Sequence, residues 1–217
     1  MVNKIYPDVK LGKNATLFPP VFIGFPCRDK IKKMPSVVIG DNAVIRPFTI
    51  IYSGVRIGNN FQCGQGVLIR EGNVIGDNVS IGTNTALEPE NKIGNNVRIH
   101  TGCFLECTTI EDDVVIGPQV VFTDDPHPPC PRYKECVLGA QVKRNAKIGG
   151  NSTILPGITI EINSLIGAGS VVTKNIPKDS VACGNPARVI KRAGDLICFK
   201  GFYRRPYEWQ KNAKSRL

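Results

Sequence analysis

Apolar or small residues recur at every sixth position along most of this chain. A tetrapeptide of the form Ile-Gly-Asp/Asn-Asn begins at positions 39, 57, 75 and 93, so three hexads separate one copy from the next. A fixed short period of this kind indicates a solenoid of stacked coils. Between residues 39 and 105 the register is unbroken, and its first position is occupied by Ile39, Ile45, Ile51, Ile57, Cys63, Ile69, Ile75, Ile81, Leu87, Ile93, Ile99 and Leu105.

Each hexad predicts one short strand and one corner. The first and fifth positions point inward, and the others point to solvent. Three strands and three corners make a triangular coil, which raises the chain by one strand spacing of about 4.8 Å. The second position is often glycine, as at Gly40 and Gly58, and we attribute this to corner dihedrals that a side chain would resist. Two inward polar residues, Asn73 and Asn91, predict an internal ladder of amides that satisfy one another's hydrogen bonds.

Two segments interrupt the repeat. Ten extra residues near 25–34 predict an excursion from the first coil. The register stops after Phe122 and resumes at Val142, which predicts a 14-residue loop that projects near 124–137. Long loops inside a compact repeat are uncommon and often carry function.

The periodicity predicts one elongated domain, 1–190, followed by a tail, 191–217. A solenoid must cover its open end. The tail is rich in aromatic residues, and we expect these to cap the last coil or to join a neighbouring subunit.

Composition narrows the choice of partners. Lys and Arg outnumber Asp and Glu by 28 to 18, and the net charge of +10 favours nucleic acid, an anionic membrane or a polyanionic small molecule. The repeats contain no concentrated Lys/Arg run and their aromatic residues are scattered, so we expect no nucleic acid partner. No apolar run approaches the ~20 residues that cross a bilayer, and the first ten residues have no apolar core. We therefore expect a cytoplasmic protein without a membrane partner, and eight dispersed cysteines fit a reducing compartment.

The repeat and two later segments resemble the hexapeptide-repeat acyltransferases. The segments are IGAGSVVTK at 166–174 and GNPARVIK at 184–191, and the resemblance extends over about residues 9–190. It implies an all-β fold, the left-handed parallel β-helix, with acetyl-CoA as the acyl donor. It also implies a homotrimer whose active sites lie between neighbouring prisms. The runs 66–85 and 110–125 resemble, more narrowly, the branch that N-acetylates nucleotide-linked amino sugars.

The two histidines are the candidate general bases. His100 lies on an outward corner, and His127 lies in the projecting loop. An amine or hydroxyl that attacks a thioester loses a proton, and an imidazole with an unperturbed pKa of ~6.5 accepts it near neutrality. The resemblance implies that a histidine has this role. Both histidines remain open, as does a mechanism without a protein base.

The resemblance also implies which residues bind the two substrates. The acceptor site would contain corner residues and the beginning of the loop, which are Arg70, Asn84, Glu106, Asp124 and Asp125. The coenzyme would lie along a glycine-rich groove, with cations for its phosphates and an apolar shelf for adenine; these residues are Gly167, Ala168, Gly169, Lys174, Lys178, Pro186, Ala187 and Arg188. A backbone N–H of the coil 148–153 would stabilise the oxyanion. The acidic residues, His127 and Cys130 of the loop match no standard zinc spacing, so we expect no metal.

Three functions compete with N-acetylation of an amino sugar. They are O-acetylation of a sugar or small alcohol, acetylation of a serine-like amino acid, and a non-catalytic scaffold. A serine-type enzyme would be supported by a large helical N-terminal domain, and no such pattern is visible. A scaffold has no need of the two coenzyme segments, so the sequence favours an enzyme.

Overall fold

The computed structural model describes residues 2–27 and 35–208 of the 217-residue chain. Its short strands pair in parallel with the strands one coil before and one coil after, in three sheets. The register confirms the predicted stacking, because Ile69 pairs with Ile51 on one side and with Leu87 on the other. The protein is a left-handed parallel β-helix of triangular cross-section, and its three faces are called sheets A, B and C.

Strands are numbered along the chain, and every third strand belongs to the same sheet until the last coil. Sheet A contains β1 (Lys4–Ile5), β4 (Phe22–Phe25), β7 (Ile50–Tyr52), β10 (Leu68–Ile69), β13 (Ala86–Leu87), β16 (Phe104–Leu105), β19 (Val121–Phe122), β22 (Thr153–Ile154) and β25 (Val171–Val172). Sheet B contains β2 (Val9–Leu11), β5 (Val37–Ile39), β8 (Arg56–Ile57), β11 (Val74–Ile75), β14 (Lys92–Ile93), β17 (Thr109–Ile110), β20 (Gln141–Val142) and β23 (Thr159–Ile160). Sheet C contains β3 (Thr16–Leu17), β6 (Val44–Ile45), β9 (Gln62–Cys63), β12 (Ser80–Ile81), β15 (Arg98–Ile99), β18 (Val115–Ile116), β21 (Lys147–Ile148), β24 (Leu165–Ile166), β26 (Ser180–Gly184) and β27 (Ala187–Arg192).

The core is a single column of inward side chains that runs the length of the prism. The first hexad positions fill it, as predicted, and Ile45, Ile51 and Ile69 are fully buried. Phe61 and Phe122 are its largest buried side chains. Each coil buries apolar surface mainly against its two neighbours, so the stack is stabilised as a series of interfaces.

The corner glycines have a different cause from the predicted one. Gly40 does not adopt a positive φ; instead, a Cβ there would lie 2.6 Å from Asn59 Oδ1 and 2.7 Å from the carbonyl carbon of Gly58. The stacking distance between coils therefore requires glycine at this position. The left-handed conformation occurs two residues later, where Asn42, Asn60 and Asn78 have φ values of 59°, 56° and 57° respectively.

These asparagines form an outer ladder, here called the asparagine column (Asn42, Asn60, Asn78 and Asn96). The Nδ2 of each residue donates to the Oδ1 of the next, at 3.0, 2.8 and 3.1 Å in turn. Asparagine tolerates the left-handed region because its short polar side chain can bond locally. The amide ladder that the sequence predicted inside the prism thus exists on its exterior.

Inside the prism the prediction of mutually bonded amides is wrong. The Nδ2 of Asn73 donates to the carbonyls of Arg70 and Glu88, both at 2.8 Å, and its Oδ1 has no partner among the described residues. Asn91 donates to Glu88 O at 2.7 Å and accepts a hydrogen bond from the N–H of Thr108 at 2.8 Å. Both side-chain amides therefore form hydrogen bonds with backbone groups at a corner, outside the strands.

The interruptions of the repeat are only partly visible. Most of the excursion predicted near 25–34 lies outside the described residues. The loop after β19 contains one short helix, α1 (Tyr133–Cys136). No helix in the described ranges is long and apolar enough to cross a bilayer.

A hairpin ends sheet C and leads into the tail. Strand β26 pairs in parallel with β24, whereas β27 pairs antiparallel with β26. A short 3-10 helix, Ala193–Asp195, follows. Phe199 and Phe202 remain 94% and 79% exposed, so these two aromatic residues do not cap the last coil as expected.

Candidate functional site

A groove of about 620 Å³ lies on the outer face of sheet C. Its floor contains outward residues of four successive strands, which the register places in one row: Arg98, Val115, Lys147 and Leu165. Its edge follows the corner between sheets C and A, called the C–A corner. The full lining is Asn96, Arg98, His100, Asp113, Val115, Gly117, Lys147, Ile148, Gly149, Leu165, Ile166, Gly167, Ala168 and Tyr207.

Within the groove, the column of residues at the C–A corner begins with His100 and continues with glycines. Gly117, Gly149 and Gly167 follow it, one coil apart. A Cβ on Gly167 would lie 2.7 Å from the Cβ of Cys183, and one on Gly149 would collide with the backbone of Ala168. Close stacking of the coils thus excludes side chains at the three corner positions that follow His100. The result is exposed backbone over about three strand spacings, roughly 14 Å, beside one imidazole.

Lys147 and Tyr207 narrow the groove on its sheet side. The Nζ of Lys147 lies 4.4 Å from the centroid of the Tyr207 ring and donates to both oxygens of Asn145 at 2.8 Å. Burial lowers the pKa of Lys147 to about 8, although the nearby Asp113 carboxylate acts in the opposite direction. The tail therefore contributes one wall of the groove through Tyr207.

The structure brings only part of the predicted coenzyme set to this groove. Gly167 and Ala168 line it, together with the candidate base His100. Gly169 does not line it, and its φ of 71° explains the glycine there. Lys174 and Lys178 are exposed, but they follow β25 and the Ile176 bridge to sheet B, so they lie at the other two corners of this prism.

The hairpin β26–β27 holds the rest of the predicted coenzyme set. Cys183 follows Gly167 at the C–A corner, and the turn between the strands extends from there. Pro186 and Arg188 are exposed on this turn and its first strand residues. Ala187 is only 6% exposed and packs in the core, so it offers no open shelf to an adenine ring.

The corner between sheets A and B, called the A–B corner, holds Arg70, Glu106 and Asp124 of the predicted acceptor residues. Together with two neighbours at this corner they are called the carboxylate column (Tyr52, Arg70, Glu88, Glu106 and Asp124). The guanidinium of Arg70 contacts Glu88 Oε2 at 2.8 Å and Glu71 Oε1 at 2.9 Å. Its Cζ lies 5.4 Å from the centroid of the Tyr52 ring. Arg70 is thereby held by two carboxylates, and the hydrogen bond with Glu71 raises its pKa.

Glu106 and Asp124 lie next to one another above this ion pair. Burial of Glu106, and then the charge and hydrogen bonding of Asp124, raise the pKa of Glu106 to about 7, while Arg70 lowers it. Asp124 is 8% exposed, and its carbonyl accepts a hydrogen bond from the N–H of Leu138 at 2.9 Å. This residue therefore closes the base of the projecting loop.

His127 lies in the loop and is exposed. Its backbone N–H donates to Asp125 Oδ1 at 2.9 Å, which forms a local turn, so one oxygen of Asp125 is used to shape the loop. No residue of this loop lines the groove described above.

The predicted acceptor residues and candidate bases thus divide between two corners of the prism. Asn84 lies at the C–A corner, one coil before His100, with a φ of 54°. The loop with His127 leaves from the A–B corner, beside Glu106. Within the part of the chain that the structure describes, no three His, Cys, Asp or Glu side chains are grouped in a way that could hold a metal.

Sequence reasoning missed three groove residues, Arg98, Lys147 and Tyr207. The first two could have been found from the hexad register. It places the residues immediately before the inward isoleucines of β15 and β21 in one row on the outer face of the sheet. Tyr207 could not, because the tail has no periodicity that fixes its path.

Comparisons with known proteins agree with the fold. A family model described as the hexapeptide repeat of succinyl-transferase matches residues 144–174, which include Lys147, Gly149, Gly167 and Ala168 of the groove. The crystal structure of a UDP-N-acetylglucosamine acyltransferase from Bacteroides fragilis 9343 is similar with a TM-score of 0.70 at 21% identity, and the match covers 88% of this chain and 74% of that chain. This likeness shows a common fold.

Curated relatives match at higher identity over shorter stretches. The galactoside O-acetyltransferase of Escherichia coli (strain K12) is 38% identical over 104 residues, which are 46% of this chain and 50% of that protein. That of Lactococcus lactis subsp. lactis (strain IL1403) is 37% identical over 92 residues, or 40% of this chain and 44% of that protein. The chain therefore spans half or less of the length of these relatives.

Proposed function

We propose that this chain belongs to the hexapeptide-repeat acyltransferase family and is an acetyltransferase that moves an acetyl group from acetyl-CoA to a sugar. One observation carries this proposal. His100 lies at one end of a column of glycine backbone, inside a groove to which Gly167 and Ala168 of the segment IGAGSVVTK also contribute. A groove of this form suits an extended arm that ends in a reactive thioester next to a base.

The chemistry is direct transfer. The acceptor oxygen or nitrogen attacks the thioester carbon while a histidine removes its proton, and a C–O or C–N bond forms. The C–S bond then breaks, and the leaving thiolate takes up a proton. A general base of this kind contributes about 10²–10⁴-fold to the rate.

The oxyanion that forms during the attack needs an N–H donor. In the coil 148–153 the N–H groups of Gly149, Asn151 and Thr153 already donate to carbonyls of neighbouring coils, at 2.7–2.8 Å. The N–H of Gly150, which is part of the same outer turn, has no such partner in the described chain. We assign the donor role to Gly150.

The division of candidate residues between two corners supports a homotrimer. His100 belongs to the C–A corner, whereas His127, Glu106 and Asp124 belong to the A–B corner. A neighbouring prism that packs at the C–A corner can place its own loop over the groove, and one site then contains residues of two protomers. In this arrangement His100 is the proposed base, and His127 of the adjacent copy is the alternative.

The acceptor class has two candidates. Identity to galactoside O-acetyltransferases favours the hydroxyl of a sugar. The sequence resemblance to nucleotide-linked amino-sugar enzymes favours an amine, and this stays a prediction. In either case the acidic side chains of the carboxylate column can accept hydrogen bonds from the hydroxyl groups of a sugar. Arg70 could bind a diphosphate only after its ion pair with Glu88 or Glu71 is broken.

The test is release of CoA thiol from acetyl-CoA in the presence of galactosides and of nucleotide-linked amino sugars. We expect turnover with one acceptor class and a 10²–10⁴-fold loss of kcat in the variant of the true base, His100→Gln or His127→Gln. Gln62→Ala, on sheet C two coils before His100 and outside the groove, is the matched control. If the chain neither binds acetyl-CoA nor turns over any acceptor, the scaffold function is supported instead.

Mixing two inactive variants tests the shared site. If the histidines of two protomers form one site, a mixture of His100→Gln and His127→Gln chains, unfolded and refolded together, regains part of the activity that each lacks. If both histidines act within one protomer, the mixture stays inactive. If only one histidine matters, the variant of the other is already active before mixing.

A further inference from the structure

The tail exposes apolar side chains to a degree that the regular coils do not. Ile197, Phe199 and Phe202 are 84%, 94% and 79% exposed. In the coils from 39 to 122 the most exposed large apolar side chain, Phe48, reaches 56%. A cluster of apolar residues that a protein leaves in water marks a contact with something else.

The same stretch is strongly basic. Between residues 188 and 208 there are six Lys and Arg residues against two acidic residues. All six are exposed, and none forms an ion pair with a carboxylate of the described chain; they are Arg188, Lys191, Arg192, Lys200, Arg204 and Arg205. Their charge is therefore available to an anionic partner.

The order of the residues indicates the kind of partner. Apolar and basic residues alternate closely from Ile197 to Arg205, and all of those with large apolar or basic side chains are exposed, so this segment offers both apolar contact and positive charge to a partner. A protein partner would leave Lys191 and Lys200 at the rim of its interface, because lysine is depleted at interface cores, whereas arginine and aromatic residues are enriched there. Nucleic acid binds aromatic faces by stacking, but it offers nothing to the exposed aliphatic residues Val189, Ile190 and Ile197, which are 50%, 56% and 84% exposed.

We propose that this tail surface (Val189, Ile190, Ile197, Phe199, Lys200, Phe202, Arg204 and Arg205) docks the protein on a bilayer that contains anionic lipids. The apolar side chains enter the boundary between headgroups and acyl chains, while the cations remain at the headgroup phosphates. Such binding is peripheral and requires no spanning segment. It replaces the expectation, drawn from the sequence, that this chain has no membrane partner.

The experiment is co-sedimentation with vesicles of phosphatidylcholine, with and without phosphatidylglycerol, over a series of salt concentrations. We expect binding only when phosphatidylglycerol is present, and we expect it to weaken with salt. Each basic residue near an anionic surface contributes about fivefold, which corresponds to about 1 kcal/mol. The triple variant K200E/R204E/R205E should therefore lose at least tenfold in vesicle affinity.

Matched controls separate this surface from the general charge of the protein. K13E/R56E/K92E makes the same change in net charge at exposed positions of the prism and should bind as the unmodified chain does. F199S/F202S should lose roughly tenfold or more in vesicle affinity, because the two phenyl rings that would be transferred from water into the bilayer are absent. F48S/V74S, on the coils, should keep its vesicle affinity. The melting temperatures of all variants verify that the prism is intact.

Four results would overturn the proposal. They are equal binding to neutral vesicles, an equal loss in the prism control, unchanged binding of F199S/F202S, and displacement from vesicles by a single-stranded oligonucleotide that binds the same residues more tightly. Sedimentation velocity without lipid adds a fifth. If F199S/F202S dissociates an oligomer that the unmodified chain forms, the surface is an interface between copies instead.

Discussion

Glu106 and Asp124 bring their carboxyl groups together where the projecting loop leaves the prism, and burial of Glu106, followed by the charge and hydrogen bonding of Asp124, raises the pKa of Glu106. At neutral pH this pair shares its site with Glu88 and with Arg70, the only cation among the causes of the shift. A proton on Glu106 therefore stabilises the base of the loop that carries His127.

Stability should depend on the protonation of Glu106. The folded chain holds this proton to about pH 7, whereas an unfolded glutamate releases it at about 4.3. Its contribution is thus fully present below about pH 4.3 and is lost as the pH rises through about 7. Glu106→Gln, which stays neutral, should gain about 1 kcal/mol over the unmodified chain at about pH 8 and little at about pH 5, by urea unfolding.

Glu161→Gln serves as the control for this series, because no acidic neighbour or ion pair is recorded for Glu161 in the described chain. It should leave the pH dependence of unfolding as it is. An unchanged pH dependence in Glu106→Gln would contradict the shared-proton explanation.

Coil spacing at the groove can be tested with a compensating pair. Gly167→Ala places a Cβ 2.7 Å from Cys183 Cβ, and overpacking of this kind costs about 1–3 kcal/mol. Cys183→Gly removes the opposing atom, so the double variant should lose less stability than the two single losses added together. Gly149→Ala meets backbone, which no side-chain truncation relieves. Additive losses in urea unfolding would mean that the close contact does not determine the glycine.

The asparagine column makes two contributions that substitution can separate. Asn78 has a φ of 57° and bonds with Asn60 and Asn96. Asn78→Gly loses the side-chain hydrogen bonds but adopts the left-handed backbone conformation without strain. Asn78→Ala loses the same hydrogen bonds and also strains the backbone. Because the left-handed region costs a residue with a Cβ about 1–2 kcal/mol, alanine should be the worse replacement by about 1 kcal/mol in thermal or urea unfolding. Equal losses would show that the amide bonds dominate.

The two buried asparagines should differ in importance. Asn91→Ala leaves the N–H of Thr108 without its partner, whereas the Glu88 carbonyl still accepts a hydrogen bond from Asn73. Asn73→Ala leaves the Arg70 carbonyl without this donor, but it also removes an Oδ1 that has no partner in the described chain. A buried group without a hydrogen bond costs about 1–3 kcal/mol, so Asn91→Ala should be more destabilising by at least about 1 kcal/mol. The reverse order of unfolding midpoints would refute this assignment.

Tyr207 should set the pKa of Lys147. The ring covers the ammonium at 4.4 Å, and burial is the main cause of the lowered pKa of about 8. Tyr207→Ala admits water, so the pKa should rise towards the ordinary value of ~10.4, which an NMR titration of the lysine side chain can follow. Phe202→Ala, in the same tail but 79% exposed, should leave this pKa unchanged. A pKa that stays near 8 without Tyr207 would place the cause in the prism itself.

The hexad register predicted the coils, their stacking and the inward column, because burial of every first position leaves one arrangement for the chain. It predicted an outward corner for His100 and a groove at Gly167 and Ala168, but not that the three residues lie at one corner. It did not identify why the corners need glycine or how Asn73 and Asn91 are bonded, since both depend on the distance between coils. The path of Tyr207 across sheet C depends on contacts between a non-periodic tail and the prism, which no sequence period encodes.

Every coil of a parallel β-helix offers open backbone groups to the next one, so nothing in the repeat itself limits its length. Strand β27 ends sheet C in the opposite direction, with exposed Arg188, Lys191 and Arg192 along it. A further coil from a second molecule would need a parallel edge and would meet like charges there. The reversed, charged edge therefore disfavours end-to-end stacking of molecules into fibres. The number of coils in a stack is then the number that one chain contains, and molecules can assemble only side by side.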